Sequence, residues 1–336
     1  MQTLFFRLLA RDDKEATLRS AIATVNRGEL AAHLFHVDPS SFRQVPGSPF
    51  AYWVSDRIRR LFRELEACEG SGREVRYGGI NGDDFRYLRL FCERPARSIL
   101  TWCPYQKGGE YSACYSDIHL VVDWDPSRRT YRGFTGLPGR PSELPANYEC
   151  YFRPGITWSR RSQQGMSMRV LLAGCVFSDK GPVIFSDEHV SLTLLAIINS
   201  PPFRSLLALQ MAFGSYEVGV IQRTPVPDMS YAEGGQLGKL AFANINLKRD
   251  LDRVNETSHV FHLPALLQVP EGTLAERVAS WRSHVGEVDK QLAENQREID
   301  DIAFRLYGIE GVDRRAIEEG VATPTPSDEE TGGIGG

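Results

Sequence analysis

The stretch INSPPFRSLLALQMAFGSYEVGVIQRTPVP, residues 198–227, is where the chain changes from strand to helix. Pro201-Pro202 separates two short apolar helices, Glu188 to Ile198 and Phe203 to Phe213. Val218 to Gln222 then reads as a strand that stops at the Pro225 and Pro227 turn, because proline removes a ladder donor. Upstream lie strand-like runs separated by turns: Ile99 to Tyr105, Ile118 to Trp124, Tyr148 to Trp158, Met168 to Phe177 and Val183 to Phe185. Asp179-Lys180-Gly181-Pro182 predicts a hairpin between the last two. Downstream, Gln236 to Asn255 and Leu274 to Leu306 place apolar residues at helical period, and the second run is long enough to be an arm.

At the N-terminal end, Asp12 and Asp13 cap a helix that runs to Asn26 and stops at Gly28. Ser48-Pro49 opens a second, with Phe50, Trp53, Ile58, Leu61 and Leu65 on one face and Arg57, Arg60 and Glu64 on the other. Asp83-Asp84 caps a third through Cys92. Residues 321–336 are polar, acidic and rich in Pro and Gly, a composition that predicts disorder. The expected fold is α+β: a β-rich module flanked by helices, with a long C-terminal helical arm. Its expected divisions are a helical connector over 1–95, the β-rich module over 96–230, a helical spacer or docking region over 231–320, and the tail over 321–336.

Bulk properties narrow the class. Hydrophobic residues at 42% and charged residues at 24% are ordinary for a soluble globular protein. Six scattered cysteines without a CxxC pair, and no charged-then-apolar leader, point to the cytoplasm rather than secretion. No apolar run approaches a membrane span of roughly 20 residues. A net charge of -4 argues against a chain-wide field for nucleic acid. The average hides an asymmetry, since acids crowd the C-terminal end while Arg57, Arg59, Arg60, Arg63, Arg73, Arg76, Arg86 and Arg89 crowd an early stretch. Nearly all cations are arginine, lysine occurring only at 14, 107, 180, 239, 248 and 290. Bidentate contact to phosphate and guanine explains this usage, and so does a G+C-rich genome.

Six strings in one order carry a family resemblance: PGSPFAYWVSDRIRRLF (46–62), INGDDFRYLRLF (80–91), PYQKGGEYSACYSDIHLVVDW (104–124), YFRPGITWS (151–159), the opening stretch, and EIDDIAFRLYGI (298–309). Together they resemble the C-terminal half of the adenine-specific DNA methyltransferases of BREX phage-defence systems (PglX type) and of type IIG restriction-modification enzymes. The likeness runs from about Met1 to Gly320. It implies that the β-rich module is a target-recognition module that reads double-stranded DNA, braced by helices against a methyltransferase domain. The resemblance places the chemistry upstream, so that domain is expected on a separate subunit or lost, with S-adenosylmethionine bound there and no cofactor in this chain. Other defence-system proteins are further expected partners, and a membrane is not. The alternatives are a truncated or atypical S-adenosylmethionine-dependent methyltransferase, and a non-catalytic interaction protein of a defence island.

Neither a catalytic nor a metal residue is assigned. Adenine methylation in this class uses an Asn/Asp-Pro-Pro-Tyr/Phe run to hold a flipped base. In Asn199-Ser200-Pro201-Pro202-Phe203 an inserted serine puts the asparagine out of register. Gly78-Gly79-Ile80-Asn81-Gly82-Asp83 follows no convincing strand, so it reads as a loop rather than a donor-binding turn. The pairs His33/His36 and His259/His262 lack the further ligands that zinc needs.

Two loops combine base-reading side chains with glycines and aromatics: Tyr105-Gln106-Lys107-Gly108-Gly109, and Thr157-Trp158-Ser159-Arg160-Arg161-Ser162-Gln163-Gln164. The candidate DNA contacts are Tyr105, Gln106, Lys107, Thr157, Trp158, Arg160, Arg161, Gln163 and Gln164, with Arg153 and Arg169 as flanking candidates. The competing possibility is that Tyr105 and Trp158 anchor the core and the arginines are simply solvated. The long C-terminal helix fits a docking arm and intramolecular packing equally well.

Overall fold

The computed structural model describes residues 2–320 except 10, 30–33, 81–82, 95–101, 125–145, 212–213, 230 and 271. Strand β1 (Thr3–Phe6), helix α1 (Lys14–Asn26) and strand β2 (Leu34–Val37) open the chain, the two strands pairing antiparallel. Then come α2 (Asp56–Glu64), β3 (Glu66–Ala67), β4 (Glu74–Arg76), α3 (Asp84–Tyr87), β5 (Leu88–Leu90), β6 (Trp102–Gln106) and β7 (Leu120–Asp123). The next group is β8 (Gly155–Trp158), β9 (Met168–Leu171), β10 (Val176–Phe177) and β11 (Val183–Phe185). Helices α4 (Glu188–Ile198), α5 (Pro201–Leu209) and α6 (Val218–Arg223) lead through β12 (Pro225–Val226) to α7 (Tyr231–Asp252), α8 (Ala265–Gln268), α9 (Leu274–Tyr307) and α10 (Gly311–Glu318). The architecture is α+β, as the sequence predicts.

Two four-stranded sheets frame the middle of the molecule, ordered β10-β6-β7-β5 and β4-β11-β8-β9. Helix α4 is buried all round from Leu194 to Ile198, as a helix apolar on every face must be. It packs on α5, α7, α9, β8 and β9, and so joins the second sheet to the C-terminal helices. The resulting core runs from Val45 to Ile317, while a smaller one gathers Tyr151, Phe177 and Phe185 between the sheets. Among the described residues no single helix is long and apolar enough to cross a membrane; the apolar pair α4 and α5 bends by 67° and lies in the core.

Local chemistry explains the helix ends that the sequence places well. Asp13 Oδ1 accepts from the Ala16 N–H at 2.8 Å to start α1, and Gly28 turns away at φ +78°. Thr273 and Glu276 form a reciprocal capping box on α9, which Gly308 closes at φ +60°.

Several expectations are corrected. Residues 218–223 are the helix α6 rather than a strand: their β-branched composition yields to packing against β4, where Gln222 Nε2 donates to the Val75 carbonyl at 3.2 Å. The turn at 179–182 makes no hairpin, because β10 pairs in parallel with β6 while β11 pairs with β4 and β8; it hands the chain from one sheet to the other. The second helix starts at Asp56, capped by Ser55, since Gly47 and Ser48 both hold positive φ and Phe50 is exposed. The helix expected through Cys92 ends at Tyr87, and Leu88 to Leu90 pair with β7 instead. The run from Tyr148 is extended only from Gly155, and the run from Met168 is split by an exposed turn at Leu172 to Gly174. No strand is read from the sequence at Thr3–Phe6 or Leu34–Val37, which pair as β1 and β2. Asn81, Gly82, Ile99, Phe213, His33 and the tail 321–336 lie outside the described residues.

Asp300 sits on α9 near Arg204 of α5 and Arg314 of α10, with Gln296 Nε2 donating to its Oδ1 at 2.7 Å. Burial pushes its carboxyl up from 3.8 to about 6. The folded chain therefore holds this proton more tightly than the unfolded chain, so ionised Asp300 costs stability above about pH 6, a cost that fades toward pH 3.8. Asp300→Asn is expected to raise urea-unfolding stability at neutral pH by about 2 kcal/mol and to lose that advantage at about pH 4. An equal effect at both pH values contradicts the assignment.

Candidate nucleic-acid interface

The two loops singled out in the sequence meet in the structure. Ser159 Oγ donates to the Gly109 carbonyl at 2.7 Å and accepts from Arg169 Nη2 at 3.2 Å, while Arg169 Nη1 donates to the Glu110 carbonyl at 3.0 Å. The turn after β10 completes the junction: the Ser178 N–H donates to the Gln106 carbonyl at 3.0 Å, and the Arg160 N–H donates to the Lys180 carbonyl at 3.1 Å. Gly181 is required there, because a Cβ would stand 2.8 Å from the Gly108 nitrogen. Three segments thus meet just past the ends of β6, β8 and β10.

The eleven sequence candidates divide by burial. Tyr105, Gln106, Thr157, Trp158 and Arg169 are interior: Thr157 Oγ1 donates to the Pro182 carbonyl at 2.9 Å and Trp158 Nε1 to the Tyr216 carbonyl at 2.9 Å. These side chains hold the loops and do not reach solvent. Lys107 is ion-paired with Asp84. Arg153 pairs with Glu74 at 3.2 Å and lies over the Phe185 ring, away from the junction. Arg160 is held by Glu217 at 3.0 Å and Asp179 at 3.4 Å, beside a cleft of about 710 Å³ that Tyr77, Asn147 and Gln222 also line. Arg161, Gln163 and Gln164 are exposed, and Arg161 Nε donates to Ser215 Oγ at 3.2 Å. Among the described residues, Arg161 makes no ion pair, so its charge remains open to a ligand.

Residues the sequence did not single out complete the framework. Ser159 is the shared hinge of the two loops. Lys248, on α7, donates to Ser112 Oγ at 3.1 Å and so ties the helical region to the segment after the first loop. Nothing in its helical run distinguishes this lysine from a solvated one.

The remaining motifs have structural employment. Asn199 is 4% exposed and accepts from the Met168 N–H at 2.9 Å, while its Nδ2 donates to the Met168 carbonyl at 2.9 Å and the Leu195 carbonyl at 3.0 Å. Pro201 and Pro202 open α5, and Phe203 is fully buried, so this run clamps β9 to α4. Gly78 allows close passage of β10, since a Cβ there would overlap the Phe177 carbonyl. His36 lies in β2, and His259 stacks on Phe91 at 3.8 Å with Nδ1 3.0 Å from Asp117 Oδ2. Among the described residues no group of three or more His, Cys, Asp or Glu is placed to hold a metal ion.

The chain matches no protein-family profile. It is 25% identical over 317 residues to the adenine-specific methyltransferase PglX of Lacticaseibacillus casei (strain Zhang), covering 89% of this chain and 26% of that protein. It is likewise 25% identical over 317 residues to the adenine-specific methyltransferase BrxX of Escherichia coli O9:H4 (strain HS), covering 91% of this chain and 24% of that protein. The chain is therefore related to these proteins and spans about a quarter of their length. The solved type IIL restriction-modification enzyme MmeI, in complex with DNA, overlaps 77% of this chain and 36% of its own at TM-score 0.48 and 14% identity, too loose a likeness to carry weight.

Asn199→Ala is expected to lower unfolding stability by about 3 kcal/mol, because it strands the Met168 and Leu195 backbone groups in the core. Chemical denaturation checks this, and a variant as stable as the unsubstituted protein contradicts the clamp.

Proposed function

We propose that this chain serves as the target-recognition region of an adenine-specific DNA methyltransferase in a phage-defence or restriction-modification system. In this reading it grips double-stranded DNA, while methyl transfer from S-adenosylmethionine belongs to a methyltransferase domain outside these residues. The observation that carries the proposal is the junction of the two polar loops. The Gly109 to Tyr111 and Arg161 to Gln164 segments present exposed backbone, guanidinium and amide groups side by side. Arginine and glutamine are suited to base edges and phosphate, and a rigid β framework fixes their spacing. The relation to PglX and BrxX supports the same assignment. The employment of Asn199 and Phe203 in the core supports locating the methyl-transfer step elsewhere.

Within this proposal the β-rich region over 96–230 meets the duplex, and the helices over 231–320 brace it against the methyltransferase domain. Arg161, Gln163 and Gln164 make the readout, and Arg160 supplies charge when Glu217 and Asp179 release it.

Fluorescence anisotropy with a labelled duplex tests the assignment. The purified chain is expected to bind duplex with a strong salt dependence, and calorimetry with S-adenosylmethionine to give no heat. Arg161→Ala is expected to weaken duplex binding about tenfold while leaving stability within about 0.5 kcal/mol. Indifference to DNA, or methylation of plasmid by this chain unaided, overturns the proposal.

A further inference from the structure

Two cations lie near one another beneath the first loop, and no carboxylate among the described residues pairs with either. Arg169 is 2% exposed and donates only to neutral oxygens, those of the Glu110 carbonyl and Ser159. Lys248 is partly buried and donates to Ser112 Oγ at 3.1 Å, also neutral. Cys114 stands between them, as bridge partner of Arg169 and within electrostatic reach of Lys248. Burial pushes the Cys114 thiol up to about 11, so it stays protonated at neutral pH and offers no counter-charge.

Burial lowers the pKa of both cations, Arg169 to about 10, and Arg169 lowers that of Lys248 further. No carboxylate raises either of them; the Cys114 thiol alone acts in the raising direction, on Lys248, and burial outweighs it. A buried charge without a counter-charge is the costly arrangement, and it is tolerated where a ligand supplies what the fold omits. The cover over the pair is thin. Gly109 and Glu110 are exposed, and a Cβ on Gly109, at φ +139°, would stand only 3.2 Å from Arg169 Nη2. The Glu110 carboxylate makes no ion pair among the described residues, and the residue turns its backbone carbonyl inward to Arg169.

We propose that Arg169 and Lys248 form one phosphate site, in which a phosphodiester oxygen of bound duplex accepts from the Lys248 ammonium while the Arg169 charge acts from beneath Gly109. The site rests on the DNA-recognition reading and adds to it a contact from α7, outside the β framework. It gives the helical region a direct part in holding the duplex.

Lys248→Met tests the site, read by duplex anisotropy across a salt series and by thermal melting of the free protein. The expected result is an affinity about tenfold lower at low salt and a log–log salt slope smaller by about one, with a melting temperature unchanged or raised because an uncompensated charge has gone. Lys248→Arg is expected to keep the slope. Lys248→Gln serves as a second neutral variant if methionine disturbs the packing. An unchanged slope in both neutral variants while duplex still binds overturns the site alone. Lower melting of both with no change in slope also overturns it, by making Lys248 purely structural. No duplex binding by the unsubstituted protein overturns the recognition reading and the site with it.

Discussion

The buried guanidinium of Arg169 is the constraint on which the candidate interface depends. Its two arms bond to Glu110 on one loop and Ser159 on the other, so neither loop has an independent position. Three residues before it, Met166 and its neighbours are already in the core, and Asn199 grips the preceding Met168 through both backbone groups. Position therefore passes from α4 to β9, from β9 to Arg169, and from Arg169 to the loops. A surface that must match the spacing of groups along a duplex needs such a chain of rigid supports, because small displacements at a polar interface forfeit directed bonds.

The helical region is more than a support. Helix α4 packs on α7 and α9 as well as on β8 and β9, so the arm and the β framework share one core. A buried amide pair, with Asn295 Nδ2 donating to Asn244 Oδ1 at 2.8 Å, fixes the register of α9 on α7. At the far end Tyr307 donates to the Pro225 carbonyl at 2.9 Å and closes the arm onto the strand that follows α6. The burial that raises the Asp300 carboxyl to about 6 lies in this same region.

Legibility in the sequence followed the range of the interactions concerned. Asp13 and Gly28 delimit α1 by contacts within one turn, and the apolar period of α9 is likewise local, so both could be read. The turn at 179–182 was equally visible as a turn, but its chemistry says nothing of which strands it joins, and here it joins different sheets. Val218, Val220 and Ile221 favour extended backbone, and only packing against β4 makes them helical. The candidate loops adjoin the β framework, but nothing in their sequence separates inward from outward members. Arg169 and Arg161 are the same residue type eight positions apart, one interior and one exposed. Lys248 belongs to an ordinary helical pattern, and only the meeting of α7 with the segment after the first loop gives it meaning.

In the proposed recognition role the two loops act as one duplex-contacting surface. Hydrogen–deuterium exchange of the chain with and without a saturating duplex reads this out residue by residue. The expected result is joint protection of backbone amides over residues 107–112 and 160–165, with little change around the cleft lined by Arg249, Arg253 and His259. Protection confined to that cleft, or of one loop without the other, contradicts the claim.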